Sequence, residues 1–286
     1  MLDTDTYNEI DDQFAIVQLL LSPDRIELEA IYAAPFHNAR SENAGHGMEL
    51  SYDEILRLLE RMDRTPDGLV HRGANRFMER EKEIVPSNAV TDMVERAKTA
   101  SPEAPLYIVA IGAITNVASA LLVAPEIIDR VVVIWLGGHS FEWPDNREFN
   151  LRQDVGAAQV VLDSGAPMVL LPCRGVVSHL ISTVPEIEKH VEPCGEIGSF
   201  LAERYKNYSQ DHDGWSKEIW DMAAVAWLID PSFCPSVLAP TPVLTEVPSW
   251  SFDRSRHLLR YVYQVERDAI LKDFFRKLAA YTAREV

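Results

Sequence analysis

Positive charge is in short supply in this chain. Lysine and arginine number 27 against 44 aspartates and glutamates, a formal net charge of −17 over 286 residues. A surface this acidic repels phosphate backbones, so no nucleic-acid partner is expected; a small neutral ligand or a cation suits it better. Cysteine is scarce as well: Cys173, Cys194 and Cys234 are odd in number and far apart. That pattern excludes a disulfide framework and any CxxC or His/Cys zinc spacing, and it points to a reducing compartment. No run of about 18 apolar residues occurs, so no membrane span is expected. The start is acidic where a secretory signal would be basic, and a cytoplasmic protein is the expectation. Three motifs are also missing: GxxxxGK, GxGxxG and GxSxG. Their absence removes glycine-rich phosphate loops and the strained nucleophilic serine of the Ser-His-Asp hydrolases.

What is present is concentrated at the N-terminus. Asp3, Asp5, Glu9, Asp11 and Asp12 put five carboxylates into twelve residues, and the apolar run Phe14 to Leu21 follows at once. Packing like charges together costs free energy unless a cation neutralises them. Carboxylate oxygens are hard ligands, so the cation would be Ca²⁺ or Mg²⁺ rather than zinc. The plain alternative is a solvated acidic terminus. The position between a short strand and an amphipathic helix, where α/β proteins place ligand loops, favours a site.

Periodicity predicts strands at Leu2–Thr4, Ile26–Ala33, Val70–Gly73, Leu106–Ile111, Arg130–Leu136 and Pro167–Leu171, with strand-like runs such as Tyr261–Val265 later. Helices are predicted at Asp11–Leu21, Ser51–Met62, Ala89–Thr99, Asn116–Ala124, Asp154–Ser164, Glu186–Tyr208, Trp220–Ile229 and Ile270–Arg284. Strands alternate with helices through the first two thirds. The expected fold is therefore α/β, a mostly parallel, Rossmann-like open sheet with helices on both faces. No repeat, low-complexity run or linker interrupts it, and one domain over residues 1–286 is expected.

In such a sheet, ligands bind beyond the carboxyl ends of the strands. The loops there are Asp3–Asp12, Pro35–Asn43, Gly112–Asn116, Gly137–Asn150 and Pro172–His179, all rich in Asp, Asn, Glu, Thr and His. An EF-hand starting at Asp3 would need Gly sixth and Glu twelfth. Asn8 and Phe14 stand there instead. Asp3-Thr4-Asp5-Thr6 partly fits a haloacid-dehalogenase-type, Mg²⁺-dependent phosphatase, with Thr6 one place early and no task for Asp11-Asp12.

A closer likeness is to the nucleoside hydrolases, the inosine–uridine-preferring N-ribohydrolase family, whose N-terminal signature is Asp-x-Asp-Pro-Gly-x-Asp-Asp. Asp3-Thr4-Asp5 and Asp11-Asp12 resemble it, with a spacer, Thr6 to Ile10, two residues longer and without Pro-Gly. Further segments follow the family's order. These are Pro35-Phe36-His37-Asn38, Ile111-Gly112-Ala113-Ile114-Thr115-Asn116, Leu136-Gly137-Gly138, Glu148-Phe149-Asn150 with Asp154 and Ala157-Ala158, and Trp220-Asp221-Met222-Ala223-Ala224.

The resemblance implies Ca²⁺-dependent hydrolysis of the N-glycosidic bond of a ribonucleoside, releasing nucleobase and ribose. It implies Asp5, Asp12 and Asp221 as carboxylate metal ligands and the backbone carbonyl of Thr115 as a fourth. That set leaves room for water and two sugar hydroxyls in a shell of about 6–8 oxygens. Asp5 is the implied general base. Asp11, Asn38, Glu148 and Asn150 are the implied ribose contacts, and Trp220 a platform for the base. A homodimer or homotetramer is implied as well.

The chain departs from the family's pattern in three places. Trp220 stands where some members carry a proton-donating His. An Ile-His-Gly loop after the third strand is absent. The loop between Gly138 and Glu148 is short, with Asn146 the nearest candidate for a further ribose contact. All three departures bear on substrate recognition rather than on the metal. Two other functions are compatible with the residues: the phosphatase, with Asp3 or Asp5 as nucleophile, and a non-catalytic nucleoside- or ribose-binding protein.

Overall fold

The structure is a computed structural model and describes residues 1–285. In chain order it runs β1 (Leu2–Thr4), α1 (Asp11–Leu20), β2 (Ile31–Ala33), α2 (Ala44–Arg61), β3 (Val70–Arg72), α3 (Asn88–Thr99), β4 (Leu106–Ala110) and α4 (Thr115–Val123). Then come β5 (Val131–Leu136), α5 (Phe149–Gln153), α6 (Val155–Asp163), β6 (Met168–Leu171), β7 (Ile181–Ser182), α7 (Val184–His190) and α8 (Gly195–Lys206). The rest is β8 (Lys217–Glu218), α9 (Met222–Ile229), β9 (Ser236–Pro240), β10 (Val243–Leu244), β11 (Trp250–Ser251), β12 (Leu258–Val262) and α10 (Arg267–Glu285).

Eight strands form the main sheet in the order β3-β2-β1-β4-β5-β6-β12-β9. Every pairing in it is parallel except that of β9 with β12. Of the central strands, β4, β5 and β6 are almost wholly apolar runs, as burial on both faces requires, while β1 carries Asp3 and Thr4. Phe14, Ile55, Leu58, Tyr205 and Phe274 pack on one side of the sheet; Met93, Val117, Leu121, Leu151 and Leu162 pack on the other. Each such side chain contributes about 1.5–3 kcal/mol through burial. The expected mostly parallel α/β sheet is the one found.

The winding positions the site. From β1 the chain moves outward to β2 and β3, then returns to β4 on the other side of β1. The loops leaving β1 and β4 therefore diverge, and a crevice opens beyond their carboxyl ends.

Four elements differ from the sequence expectation. The strand expected over Ile26–Ala33 is confined to Ile31–Ala33, because β1 pairs it only from Leu2 opposite Ile31. The helix expected from Ser51 begins at Ala44, where the Asn43 side chain accepts from the His46 amide at 2.9 Å. Gly45 and Gly47 in its first turn obscure the helical pattern. Gly47 is needed there, since a Cβ would lie 1.9 Å from the Phe36 carbonyl oxygen. The single helix expected over Glu186–Tyr208 is two helices, α7 and α8, parted at Pro193 and at Gly195 with φ +66°. Of the run Tyr261–Val265 only Tyr261 and Val262 belong to a strand, β12, which starts at Leu258.

Candidate active site

β1 ends at Thr4, so Asp5 is delivered to the crevice between β1 and β4. It is buried, and neither carboxylate oxygen has a hydrogen-bond partner. Gly112, just after β4, approaches it so closely that a Cβ would stand 3.1 Å from the Asp5 Cγ. The chain then turns, with the Asn8 amide donating to the Asp5 carbonyl at 2.7 Å, and enters α1. Asp11 and Asp12 form the first turn of that helix, where its dipole favours negative charge. Asp221 immediately precedes α9, and its side chain makes no capping bond.

Carboxylate oxygens of Asp11, Asp12 and Asp221 lie within 4.8 Å of one another, and all three residues are buried. Thr4 Oγ1 donates to Asp12 Oδ1 at 2.5 Å. Burial pushes Asp12 up to about 8, with the charge of Asp11 adding to it, and Asp11 up to about 6, where Lys217 opposes the rise and Glu9 adds to it. Burial and the charges of neighbouring acids hold Asp5 and Asp221 well above the usual carboxylate range. Among the charges acting on Asp5 are Asp12, Asp11 and Glu148, so it shares the field of the trio. Desolvated carboxylates with unpartnered oxygens and no equal counter-charge fit a hard divalent cation, which would reverse this electrostatic cost. The cluster matches the Ca²⁺-binding site of the family that the sequence resembles.

Glu148 caps α5: Oε1 accepts from the Asn150 amide at 2.8 Å, and Oε2 from the amides of Gly138 and Leu151 at 2.9 Å each. Gly138 can face it because its φ is +73°, which an L side chain resists. Asn150 Nδ2 donates to the Leu136 carbonyl at 3.0 Å. Both residues line a cavity of about 340 Å³ with Asp5, Asp11, Asp221 and Trp220. Asn8, Glu9, His139, Cys173 and the arginines at 147, 152 and 174 line it too. Asn38 lies outside the lining and donates from Nδ2 to Asn8 Oδ1 at 2.7 Å, so Asn8 presents the amide where Asn38 was expected.

Thr115 opens α4, and its hydroxyl donates to Asp154 Oδ2 at 2.7 Å. Asn116 follows it inside α4. Its Nδ2 donates to Asp3 Oδ1 at 2.8 Å and its Oδ1 accepts from the Ala74 amide at 2.8 Å. Asp3 thus stands behind the cluster, where burial pushes it up to about 7. Asn146 Oδ1 accepts from the His139 amide at 2.6 Å, and its buried Nδ2 has no partner. Lys217 pairs with Glu9 at 2.7 Å; burial works against its charge, but the attraction of the negative Asp11 and Glu9 outweighs it and keeps the ammonium charged. Tyr205 is core, its hydroxyl bonded to the Ser182 carbonyl and the Lys217 amide. Among the described residues His139 is the one histidine in the cavity lining; His37 is exposed.

Sequence reasoning singled out neither Asn8 nor the three arginines. Arg147 and Arg174 do fall within loops expected at the sheet edge, so position after a strand was the available signal.

The profile of the family described as "Inosine-uridine preferring nucleoside hydrolase" matches residues 1–272. The chain is 26% identical to the pyrimidine-specific ribonucleoside hydrolase RihA of Klebsiella pneumoniae (strain 342), covering 98% of both chains. It is 29% identical to the inosine-uridine preferring nucleoside hydrolase of Leishmania major over 146 residues, 48% of this chain and 46% of that one. Its fold is similar to that of the purine-preferring ribonucleoside hydrolase from Gardnerella vaginalis, with TM-score 0.76, 21% identity and 98% of each chain covered. The chain belongs to the inosine-uridine preferring nucleoside hydrolase family and is an N-ribohydrolase acting on the N-glycosidic bond of ribonucleosides.

Proposed function

We propose that Asp5, Asp12 and Asp221, with the Thr115 carbonyl, hold one Ca²⁺, and that Asp5 is the general base of the hydrolysis. Asp11 belongs to the same cluster and serves both the cation and the ribose diol. Bound Ca²⁺ would supply Lewis acidity, lowering the pKa of a water and binding sugar hydroxyls. The rest is the work of the chain. Asp5 accepts a proton from water as its oxygen bonds to the anomeric carbon and the C–N bond breaks. The base departs with the bonding pair and takes up a proton from solvent. Glu148, Asn150 and Asn8 orient the ribose hydroxyls toward an oxocarbenium-like geometry. Trp220, part-exposed in the cavity, stacks on the leaving base.

One observation carries this reading: the orphaned oxygens of Asp5 stand in the same cavity as Asp11 and Asp221, beside Asp12. The phosphatase alternative is disfavoured: Asp3 is committed to Asn116 and lies outside the cavity lining, and with Asp5 as nucleophile the clustered Asp11 and Asp12 would still have no task. Relatives named as pyrimidine-specific and purine-preferring are both similar to this chain, so the substrate class is set at the level of the ribonucleoside. No described helix is long and apolar enough to cross a membrane. Assembly into a homodimer or homotetramer belongs to the same proposal. Val237, Leu238, Leu258 and Tyr263 stand exposed at the outer edge of the sheet, where a second copy would cover them.

The test is reducing-sugar release from purine and pyrimidine ribonucleosides with Ca²⁺ and with a chelator. Ribose release that the chelator abolishes supports the proposal. Tight binding without turnover would indicate a binding protein instead.

A further inference from the structure

The acids of the cavity are not its only charged groups. Arg147, Arg152 and Arg174 line it as well, from three different places: the residue before Glu148, helix α5, and the loop after β6. What sets these three apart is that they converge on one cavity, in a chain with 44 acids and 27 bases. None of these three has a carboxylate within 4.0 Å of its guanidinium among the described residues. Their backbones are nevertheless fixed. The Arg147 amide donates to Asp145 Oδ1 at 3.0 Å, the Arg152 amide to the Glu148 carbonyl at 2.9 Å and the Arg174 amide to His139 Nδ1 at 3.4 Å. Aromatic rings steady two of them without neutralising them: Arg152 lies 5.3 Å from the Phe149 ring centroid and Arg174 lies 5.9 Å from that of Trp143. The charge of Arg174 reaches the cavity, where it joins burial in holding the His139 imidazole neutral.

A simple nucleoside has no charge for these groups to meet. Guanidinium forks suit phosphate and carboxylate oxygens, and they hold such groups most strongly where no protein carboxylate competes. Taking the ribosyl-hydrolase reading as given, we propose that the preferred substrate is an anionic riboside. Its phosphate or carboxylate pairs with Arg147, Arg152 and Arg174 while the aspartate end of the cavity holds the ribose. The protein's net charge of −17 repels such a molecule at long range, so the recognition is local to the cavity.

Two sources could supply the anion: a 5′-phosphate, or a carboxylate on the base. The experiment compares kcat/KM in Ca²⁺ for inosine and uridine, for their 5′-monophosphates, and for orotidine and nicotinate riboside. One anionic pair should exceed the neutral pair by about tenfold or more, with the advantage shrinking as salt rises. The winning pair shows which end of the substrate meets the arginines. The advantage should fall to within about threefold in the Arg147→Gln/Arg152→Gln/Arg174→Gln protein, and partly in each single variant. The single variants keep the test valid should the triple variant fold poorly. Neutral nucleosides cleaved as well as both anionic pairs would overturn the proposal, as would an advantage that survives in the variants. Cleavage of no riboside at all would refute the hydrolase reading alone. The anion preference is then read from quenching of tryptophan fluorescence. Tenfold tighter binding of inosine 5′-monophosphate or orotidine than of inosine supports it, and equal binding refutes it.

Discussion

The Lys217 ammonium lies 2.7 Å from the Glu9 carboxylate and ties the long spacer between Asp5 and Asp11 to the segment that carries Trp220 and Asp221. Lys217 is almost wholly buried, so this is not a loose surface pair. The spacer that lacks the family's Pro-Gly is held by a charge contact instead of by a rigid turn. Lys217→Met should raise KM for a ribonucleoside and lower kcat/KM by about 10- to 100-fold, because it frees Asn8 and Glu9 and leaves Asp11 without its nearby cation. Glu9→Gln should do less. A double-mutant cycle should return a coupling of about 1 kcal/mol in kcat/KM; strictly additive effects would show that the contact does not position the spacer.

Repulsion among Asp11, Asp12 and Asp221 makes a prediction about stability. Asp12→Asn removes one charge and keeps the acceptor for Thr4 Oγ1, so the metal-free variant should melt above the metal-free wild type at pH 8. Calcium at about 100 times its Kd should stabilise the wild type by about 2.7 kcal/mol, a rise of about 5–10 °C. The variant should lose most of that rise. Differential scanning fluorimetry with and without a chelator reads both effects, and identical calcium responses would contradict the site.

Asp154 is a structural anchor beneath the site. It accepts from Thr115 Oγ1 at 2.7 Å and from the amides of Met78, Glu79 and Ala157 at 2.6, 3.1 and 3.1 Å. Asp154→Ala leaves these donors unpaired, most of them buried. It should cost about 3 kcal/mol in urea unfolding, with Asp154→Asn costing less. A loss below about 1 kcal/mol would mean that water replaces the carboxylate without penalty.

His139 supplies a pH dependence whose sign is fixed. Burial, aided by Arg174, lowers its pKa from the ordinary 6.5 to about 4. The unfolded chain therefore binds a proton that the folded chain does not, between about pH 4 and 6.5. Its contribution to stability is complete above pH 6.5 and is lost as pH falls toward 4. Between those limits His139→Gln should have a shallower fall of stability than the wild type. Parallel curves would show that His139 titrates normally.

Much of the site was legible because it is local. Asp5, Asp11 and Asp12 share one strand–loop–helix passage, and like charges at that density announce a cation. The open-sheet rule also located the loops that carry Glu148 and Asn150. What was not legible depends on contacts between distant segments. Asn8 takes its place in the cavity with Asn38, thirty residues away, behind it. Lys217 meets Glu9 across 208 positions. The arginines share a cavity through the convergence of two loops and α5, which no spacing records. In the fold, Gly45 and Gly47 concealed the start of α2. The break between α7 and α8 did carry a signal, in Pro193 followed by Gly195.

In the proposed hydrolysis Asp5 takes the proton from the attacking water. Asp5→Asn preserves shape and removes the base. The decisive measurement is kcat of this variant on one good ribonucleoside at saturating calcium, with binding of calcium and nucleoside checked separately. kcat should fall by about 10²–10⁴ with nucleoside still bound. A kcat within about tenfold of the wild type would contradict it.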